Sequence, residues 1–407
     1  MLYEGTGVGS PFIFFAARFL VLLVLCIAGY GISYGKPENF KKYAWFAGIV
    51  YSLVEGLRWL RGADYCHYYN DIVTNLGENP MNLYGERIIT PEPELIYQLW
   101  INFFNFTTLP FWVAFIFYSA LLIGGLLLVV KQFPKSAVIA LPLFFVLTVD
   151  SSENLIRQYF AEALMFYAYY FHLKEKRAWM VAMLIIAPLI HYSAIAVDII
   201  FLAIVLTWKP LEKFYRSYAT LGVLFAIFLY GYFVFDISNF QFIADFAYEN
   251  VDLGDDKAAL YVDGADQWLS EEGSLAETQL GVSVGAISIY NNIVKFIAYS
   301  VIIIIGFLLV RADKRLAVAY AFSYIAILLK TTCSDIELYL RLYYWFVILL
   351  PIIAGCVFNK DNLKPIWRAL ILGVFILCFL WYGFLRSGFS ATLFGYGFIW
   401  DANVNIW

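Results

Sequence analysis

Apolar residues come in twelve runs along the chain, separated by short polar stretches. The first is Phe12 to Tyr34, and the others fall near 44–60, 110–130, 136–150, 154–172, 178–190, 194–208, 217–236, 287–310, 316–331, 336–357 and 366–386. A helix needs roughly 20 mostly apolar residues to cross a bilayer core of ~30 Å. The pattern therefore predicts an all-α polytopic membrane protein of about 12 spans. The first run is too long for the apolar part of a secretory signal, and no basic residue precedes it before Arg18, so it reads as a true span. Residues 1–407 read as a single integral-membrane domain.

Composition strengthens this reading. Of 407 residues, 62% are hydrophobic and 14% charged, against about 45–50% and about 25% in soluble chains. A soluble fold, a secreted disulfide scaffold, a coiled coil and a disordered chain are excluded. A net charge of −4 without basic clusters beside aromatic platforms argues against a nucleic-acid partner. Aromatic residues make up 20%. Belts at the two membrane interfaces account for many of them, and aromatic faces also stack on sugars. Cys26, Cys356 and Cys378 lie in apolar runs as inert core residues. Cys66 and Cys333 fall at outer helix ends, where spacing leaves a disulfide open. No CxxC or HExxH pattern occurs, and three His residues give little support for a metal site.

Charge orients the spans. Alternate connections carry Lys36, Lys41 and Lys42; Lys131 and Lys135; Lys174, Lys176 and Arg177; Lys209, Lys213 and Arg216; Arg311, Lys314 and Arg315; and Lys360, Lys364 and Arg368. Together they hold most of the 27 basic residues, which places all six in the cytoplasm and both termini outside. Two outer segments are long, 61–109 and 237–286. The first ends in an amphipathic piece, Glu94 to Phe106, suited to the interface. The second is acidic and reads as a solvated cap. The Gly- and aromatic-rich tail after Arg386 is placed to fold back over the outer face.

Residues 178–208 are only 31 positions between two basic flanks. One helix of that length would invert every later loop. Two short helices of about 14–15 residues each fit better, reaching roughly 21 Å into the membrane. The tip of that hairpin holds His191, after Pro188, at the floor of a cavity open to the outside.

Charged groups inside spans are costly and mark function. Here they gather at outer span ends: Glu55, Arg58 and Arg61, followed by Asp64; Asp150, Glu153 and Arg157; Glu337 and Arg341; and Arg386. The pairs Glu55/Arg58, Glu153/Arg157 and Glu337/Arg341 have helical spacing and could satisfy each other. Several Arg converging on one face would instead bind phosphate oxygens in bidentate fashion. In SerSerGluAsnLeuIleArgGln, Ser151, Ser152 and Asn154 are capping residues for a helix start. Arg157 and Gln158 then project in the first turn, making an outward-facing anion site.

ArgGlyAlaAspTyr–X–X–Tyr (61–68), AsnLeuIleArgGlnTyrPheAla (154–161), HisTyrSerAla (191–194) and ArgLeuTyrTyr (341–344) occur in that order. The ordered set resembles the EpsG family of bacterial envelope proteins, grouped with the Wzy polysaccharide polymerases. The resemblance implies a GT-C-like integral-membrane glycosyltransferase at the periplasmic face of the bacterial inner membrane. It would polymerise undecaprenyl-pyrophosphate-linked oligosaccharide repeat units of an O-antigen, capsule or exopolysaccharide, with inversion and without a metal or other cofactor. Membrane lipid, and a chain-length regulator and flippase of the same pathway, are its expected partners.

The resemblance also implies site residues. Arg58, Arg61, Arg157 and Arg341 would grip the pyrophosphate, and Tyr65, Asp64, Gln158 and Tyr344 would position donor or acceptor. One general base must take the acceptor proton. His191 is the first choice, with Asp64 and Glu55 behind it. Competing readings are a lipid-linked oligosaccharide flippase or transporter, an O-antigen ligase or GT-C monosaccharide transferase, and a non-catalytic export scaffold. Asp198, deep in the hairpin, is open to a proton relay or to a hydrogen bond with the neighbouring arm.

Overall fold

Long unbroken stretches of Leu, Ile, Val and Phe form helices because a helix satisfies its own backbone where no water can. A computed structural model describes residues 11–59, 65, 68, 69, 72, 94–107, 109–235, 284–332, 337–359, 364–385, 397 and 398. The helices are α1 (Pro11–Tyr34), α2 (Phe40–Gly56), α3 (Leu95–Thr107), α4 (Phe111–Val130), α5 (Ala137–Asn154), α6 (Ile156–Leu173) and α7 (Arg177–Ile186). They continue as α8 (Ala194–Tyr215), α9 (Tyr218–Phe233), α10 (Val284–Ala312), α11 (Ala317–Thr332), α12 (Glu337–Val347), α13 (Leu350–Cys356) and α14 (Pro365–Val374), the last running into a π-helix at Phe375–Leu385. The described strands are two residues each, β1 (Arg58–Trp59) and β2 (Gly397–Phe398). The all-α reading therefore holds. By length and composition, five of the described helices can cross a membrane: Phe15–Tyr34, Phe111–Val130, Pro134–Asn154, Ala194–Tyr215 and Asn292–Ala312. Shorter apolar helices accompany them.

The chain forms two compact units. One contains residues to Ala203 and from Pro351, and the other Ile204–Leu350. In the first, α1 packs on α2 and α5, α4 on α2 and α6, and α6 on α7. Small residues allow close crossings. A Cβ on Gly29 of α1 would lie 2.5 Å from the Ala137 carbonyl oxygen of α5, and one on Gly56 of α2 would collide with Ile116 of α4.

Side-chain contacts give the first unit a clear polarity. Ser33, at the end of α1, accepts the Val138 N–H at 2.9 Å and reaches the Pro134 and Lys135 carbonyls at 3.2 Å. At the other end of the same helix pair, Arg18 meets Asp150 and Glu153. Gly125 of α4 lies against Ala163 and Phe166 of α6, while Tyr118 stacks near Phe160, so these two helices run in parallel. The connections bearing Lys36, Lys131, Lys135, Lys174 and Lys176 thus share one end. The carboxylates and guanidiniums of Arg18, Glu55, Arg58, Glu153 and Arg157 share the opposite one.

Three local expectations change. Segment 151–154 starts no helix; it is the last turn of α5. Leu155 breaks the chain direction before α6, and no side chain caps α6. Ser151 and Ser152 instead donate back to the Thr148 and Val149 carbonyls, satisfying the end of α5. The break also places Glu153 and Arg157 on different helices, which dissolves their supposed i, i+4 pairing.

The hairpin is present, with α7 extended by a 3₁₀ turn at Ala187–Leu189 and His191 in the bend before α8. Its second arm is not short. Helix α8 continues for 22 residues, through Pro210 to Tyr215. Stacking of Trp208 on Tyr215 at 5.3 Å supports these last turns beyond the proline. At the base of the hairpin, Glu175 adopts φ 57° to close the tight turn between α6 and α7.

In the second unit, α9, α10 and α11 pack together and α12 lies on α11. Arg216 donates to the Arg311 carbonyl at 2.6 Å, which brings two of the basic connections to one end of that unit. The acidic segment between α9 and α10 lies outside the described residues, as do Cys66 and Cys333.

Candidate functional site

The acidic and basic end of the first unit is built from five elements. Helix α2 ends at Gly56 and delivers Glu55 and Arg58, both almost fully buried. The Arg58 guanidinium donates to the Glu55 carbonyl and, at 3.4 Å, to the Glu153 carbonyl. Its Nη1 lies 3.8 Å from the Glu55 carboxylate. Tyr65 donates to the Arg58 carbonyl at 2.9 Å and stacks on Phe115 at 4.8 Å. Arg58 also pairs in register with Phe398 of β2, which brings residues 397 and 398 to this end.

Glu55 and Arg58 line a small cavity of about 20 Å³ with Tyr51, Tyr118, Ser119 and Ser152. Arg18 braces the back of this end. It donates to Asp150 at 2.6 Å and to Glu153 at 2.5 Å. Glu153 and Arg18 are buried, whereas the Asp150 side chain is 55% exposed.

The start of α6 carries Arg157. Its Nη1 lies 3.1 Å from Oε2 of Glu94, and its Cζ sits 5.4 Å from the ring centroid of Tyr97, one turn into α3. The other Glu94 oxygen accepts the Tyr192 backbone N–H at 3.0 Å. Glu94 therefore ties α3, the start of α6 and the His191 turn together. His191 is partly exposed, with Nδ1 2.7 Å from the Ser193 hydroxyl.

Among the described residues at this end, three guanidiniums face four carboxylates, those of Glu55, Glu94, Asp150 and Glu153. Among the described residues, the site's guanidiniums are thus each already paired with a carboxylate.

A match to the EpsG family model spans residues 41–398, most of the chain. The protein belongs to the EpsG family. EpsG members are Wzy-like polymerases, so this is a polysaccharide-polymerase-type membrane protein. No curated protein and no solved structure matches it.

The predicted site residues divide between the two units. Glu55, Arg58, Tyr65, Arg157, Gln158 and His191 all belong to the first. Gln158 turns along α6, donating its amide to Glu162 at 2.7 Å. Arg341 and Tyr344 belong to the second, on α12, where Tyr344 packs on Tyr343 with ring centroids 5.3 Å apart. Arg61 and Asp64 lie outside the described residues, as does the side chain of Glu337.

Asp198 lies on the buried stripe of α8 formed by Ala194, Val197 and Phe201. Neither of its carboxylate oxygens has a hydrogen-bond partner among the described residues, so the expected bond to the neighbouring arm is not made. Two residues of this end escaped the sequence reading as site residues. Arg18 carried a usable signal, a lone charge inside the first apolar run. Glu94 looked like the first polar residue of an interfacial helix, and only the fold reveals its two partners.

Proposed function

We propose that this EpsG chain is an integral-membrane glycosyltransferase. It joins undecaprenyl-pyrophosphate-linked oligosaccharide units into a surface polysaccharide at the periplasmic face of the bacterial inner membrane. The observation that carries the reading is the pocket lined by Glu55 and Arg58, at the same end as Arg157 and His191 and opposite the lysine-rich connections. Twelve spans follow if α12 with α13, and α14 with its π-helix, each cross once and α3 lies in the interface. The positive-inside rule then assigns the lysine-rich end to the cytoplasm and the pocket to the periplasm.

The reaction is a direct displacement. An acceptor hydroxyl forms a bond to the anomeric carbon of the donor glycan, and the bond from that carbon to pyrophosphate breaks. The electron pair and the growing charge leave with the pyrophosphate, where Arg58 and Arg157 supply preorganised cationic donors. One displacement inverts the anomeric centre. The hydroxyl proton goes to Glu55, the one described member of the three base candidates that lines the pocket. Tyr65 and Gln158 act in support, by fixing Arg58 and the first turn of α6.

The test is elongation. Purified protein given one defined lipid-linked repeat unit, with EDTA present, should yield a ladder of longer lipid-linked glycans. Units that cross vesicle membranes without growing would replace the polymerase by a flippase. Growth that stops on EDTA would remove the metal-independent mechanism.

A further inference from the structure

Arg157 and the turn that carries His191 are joined through a single side chain. One carboxylate oxygen of Glu94 faces Arg157 at 3.1 Å and the other accepts the Tyr192 N–H at 3.0 Å. The neighbouring amides are held differently: those of Ile190 and His191 both go to the Ala187 carbonyl, and that of Ala194 goes to His191. Tyr192 thus depends on a group from another helix. Exposure differs across the ion pair. The Arg157 side chain is 22% exposed and that of Glu94 6%, so an anion can approach the guanidinium while the carboxylate behind it is sheltered.

We propose that Glu94 is a latch displaced by substrate: it occupies Arg157 at rest, and the phosphate that takes its place also frees the His191 turn. The inference rests on the reading that Arg157 receives a lipid pyrophosphate. A diphosphate carries more charge than a single carboxylate, and its oxygens fit the guanidinium fork in bidentate fashion. The incoming diphosphate and the carboxylate compete for the same guanidinium donors, and in this proposal the carboxylate yields. Its two oxygens belong to one carboxylate, so the side-chain rotation that withdraws Oε2 from Arg157 also draws Oε1 away from the Tyr192 amide. Donor arrival is in this way transmitted to His191, which lies on the same turn as that amide. The pairing of each guanidinium at this end with a carboxylate, among the described residues, is what such a latch requires, because the resting guanidinium is already neutralised.

Farnesyl pyrophosphate is a suitable soluble probe for the purified full chain. Glu94→Gln keeps an oxygen for Tyr192 but gives up the charge that competes for Arg157. It should bind farnesyl pyrophosphate at least fivefold more tightly than the wild type. Deuterium exchange over residues 188–195 should speed up when the wild type binds the probe. In Glu94→Ala it should already be fast and unaffected by the probe. A purely structural Glu94 would give equal or weaker binding in Glu94→Gln, and that result overturns the proposal, as does unchanged exchange in the wild type. The two readings fail separately. Tighter binding and faster exchange without glycan elongation would discard the polymerase and keep the latch. Elongation without either response would keep the polymerase and discard the latch.

Discussion

Arg18 of α1 and Glu153 at the end of α5 are 135 residues apart in the chain and meet at 2.5 Å, both nearly fully buried. This contact decides how the rest of the charged end is wired. With Glu153 turned toward α1, Arg157 looks outward to Glu94 on α3, and the carbonyl of Glu153 becomes an acceptor for Arg58. One helix break at Leu155 makes both possible, by rotating the first turn of α6 away from the last turn of α5.

Replacing Arg18 should be a folding defect. Removing one partner of a buried ion pair strands the other charge, at a cost of about 3–5 kcal/mol. Arg18→Met should lower the thermal midpoint in detergent sharply. The double variant Arg18→Met/Glu153→Met should recover most of the loss, since well-packed apolar pairs often replace buried salt bridges at little cost. Recovery by less than half would mean that Glu153 has a role besides pairing.

Arg157 should behave in the opposite way. It is partly exposed and pairs with a single carboxylate. Arg157→Ala should reduce glycan elongation by about 10²–10³-fold, the range seen when one preorganised donor to a developing anion is lost. The thermal midpoint should fall less than in Arg18→Met, because Arg157 is partly exposed and Glu94 keeps the Tyr192 amide. Arg157→Lys should restore only part of the rate, because an ammonium lacks the planar fork. Wild-type turnover by Arg157→Ala would remove this residue from the leaving-group site.

Much of this fold was legible in the sequence, because hydrophobic runs report helices directly. The described helices fall on all twelve predicted runs, and the hairpin tip at His191 followed from two basic flanks too close for one span. The site was legible only as a list of charges. Local spacing suggested that Glu153 would meet Arg157, but Leu155 interrupts the helix that the spacing assumes. The partners that matter, Arg18 and Glu94, come from elements far away in the chain. A helical-periodicity argument reaches about one turn in each direction and cannot see them. The run of capping residues misled for a related reason: Ser hydroxyls bond equally well to carbonyls one turn back at a helix end, and here they do so.

Asp198 offers a test of how this membrane core tolerates charge. Its carboxylate is buried on the inner stripe of α8, with neither oxygen hydrogen-bonded among the described residues. Asp198→Leu removes the unsatisfied polar group at similar shape and should raise the thermal midpoint by a few degrees, as expected for relief of about 1–3 kcal/mol. If the midpoint rises while elongation falls, the carboxylate is kept for function at a cost in stability. A lower midpoint would mean that Asp198 has a stabilising partner.

Gly56 links helix packing to the pocket. It lies against Ile116 where α2 crosses α4, two residues before Arg58. A methyl group here must push the two helices apart, an overpacking strain of typically about 1–3 kcal/mol. Gly56→Ala should therefore lower the thermal midpoint and elongation together. Pairing it with Ile116→Ala, which clears the space, should restore both. Restored stability without restored activity would separate the crossing from the placement of Arg58.

The identity of the base can be settled by two variants. Glu55 lines the pocket beside Arg58, whereas His191 sits on the turn held by Glu94, with Nδ1 engaged by Ser193. If Glu55 takes the acceptor proton, Glu55→Gln should lower elongation by about 10²–10⁴-fold, the usual contribution of a general base. The pyrophosphate affinity should not fall, because the amide removes a proton acceptor and a competing negative charge and leaves Arg58 in place. His191→Ala, which perturbs only the turn, should cost about tenfold or less. The reverse order of effects would return the base to His191. Equal, severe losses in both would point to a proton path that uses the two groups in series, and the double variant would then be no slower than either single one.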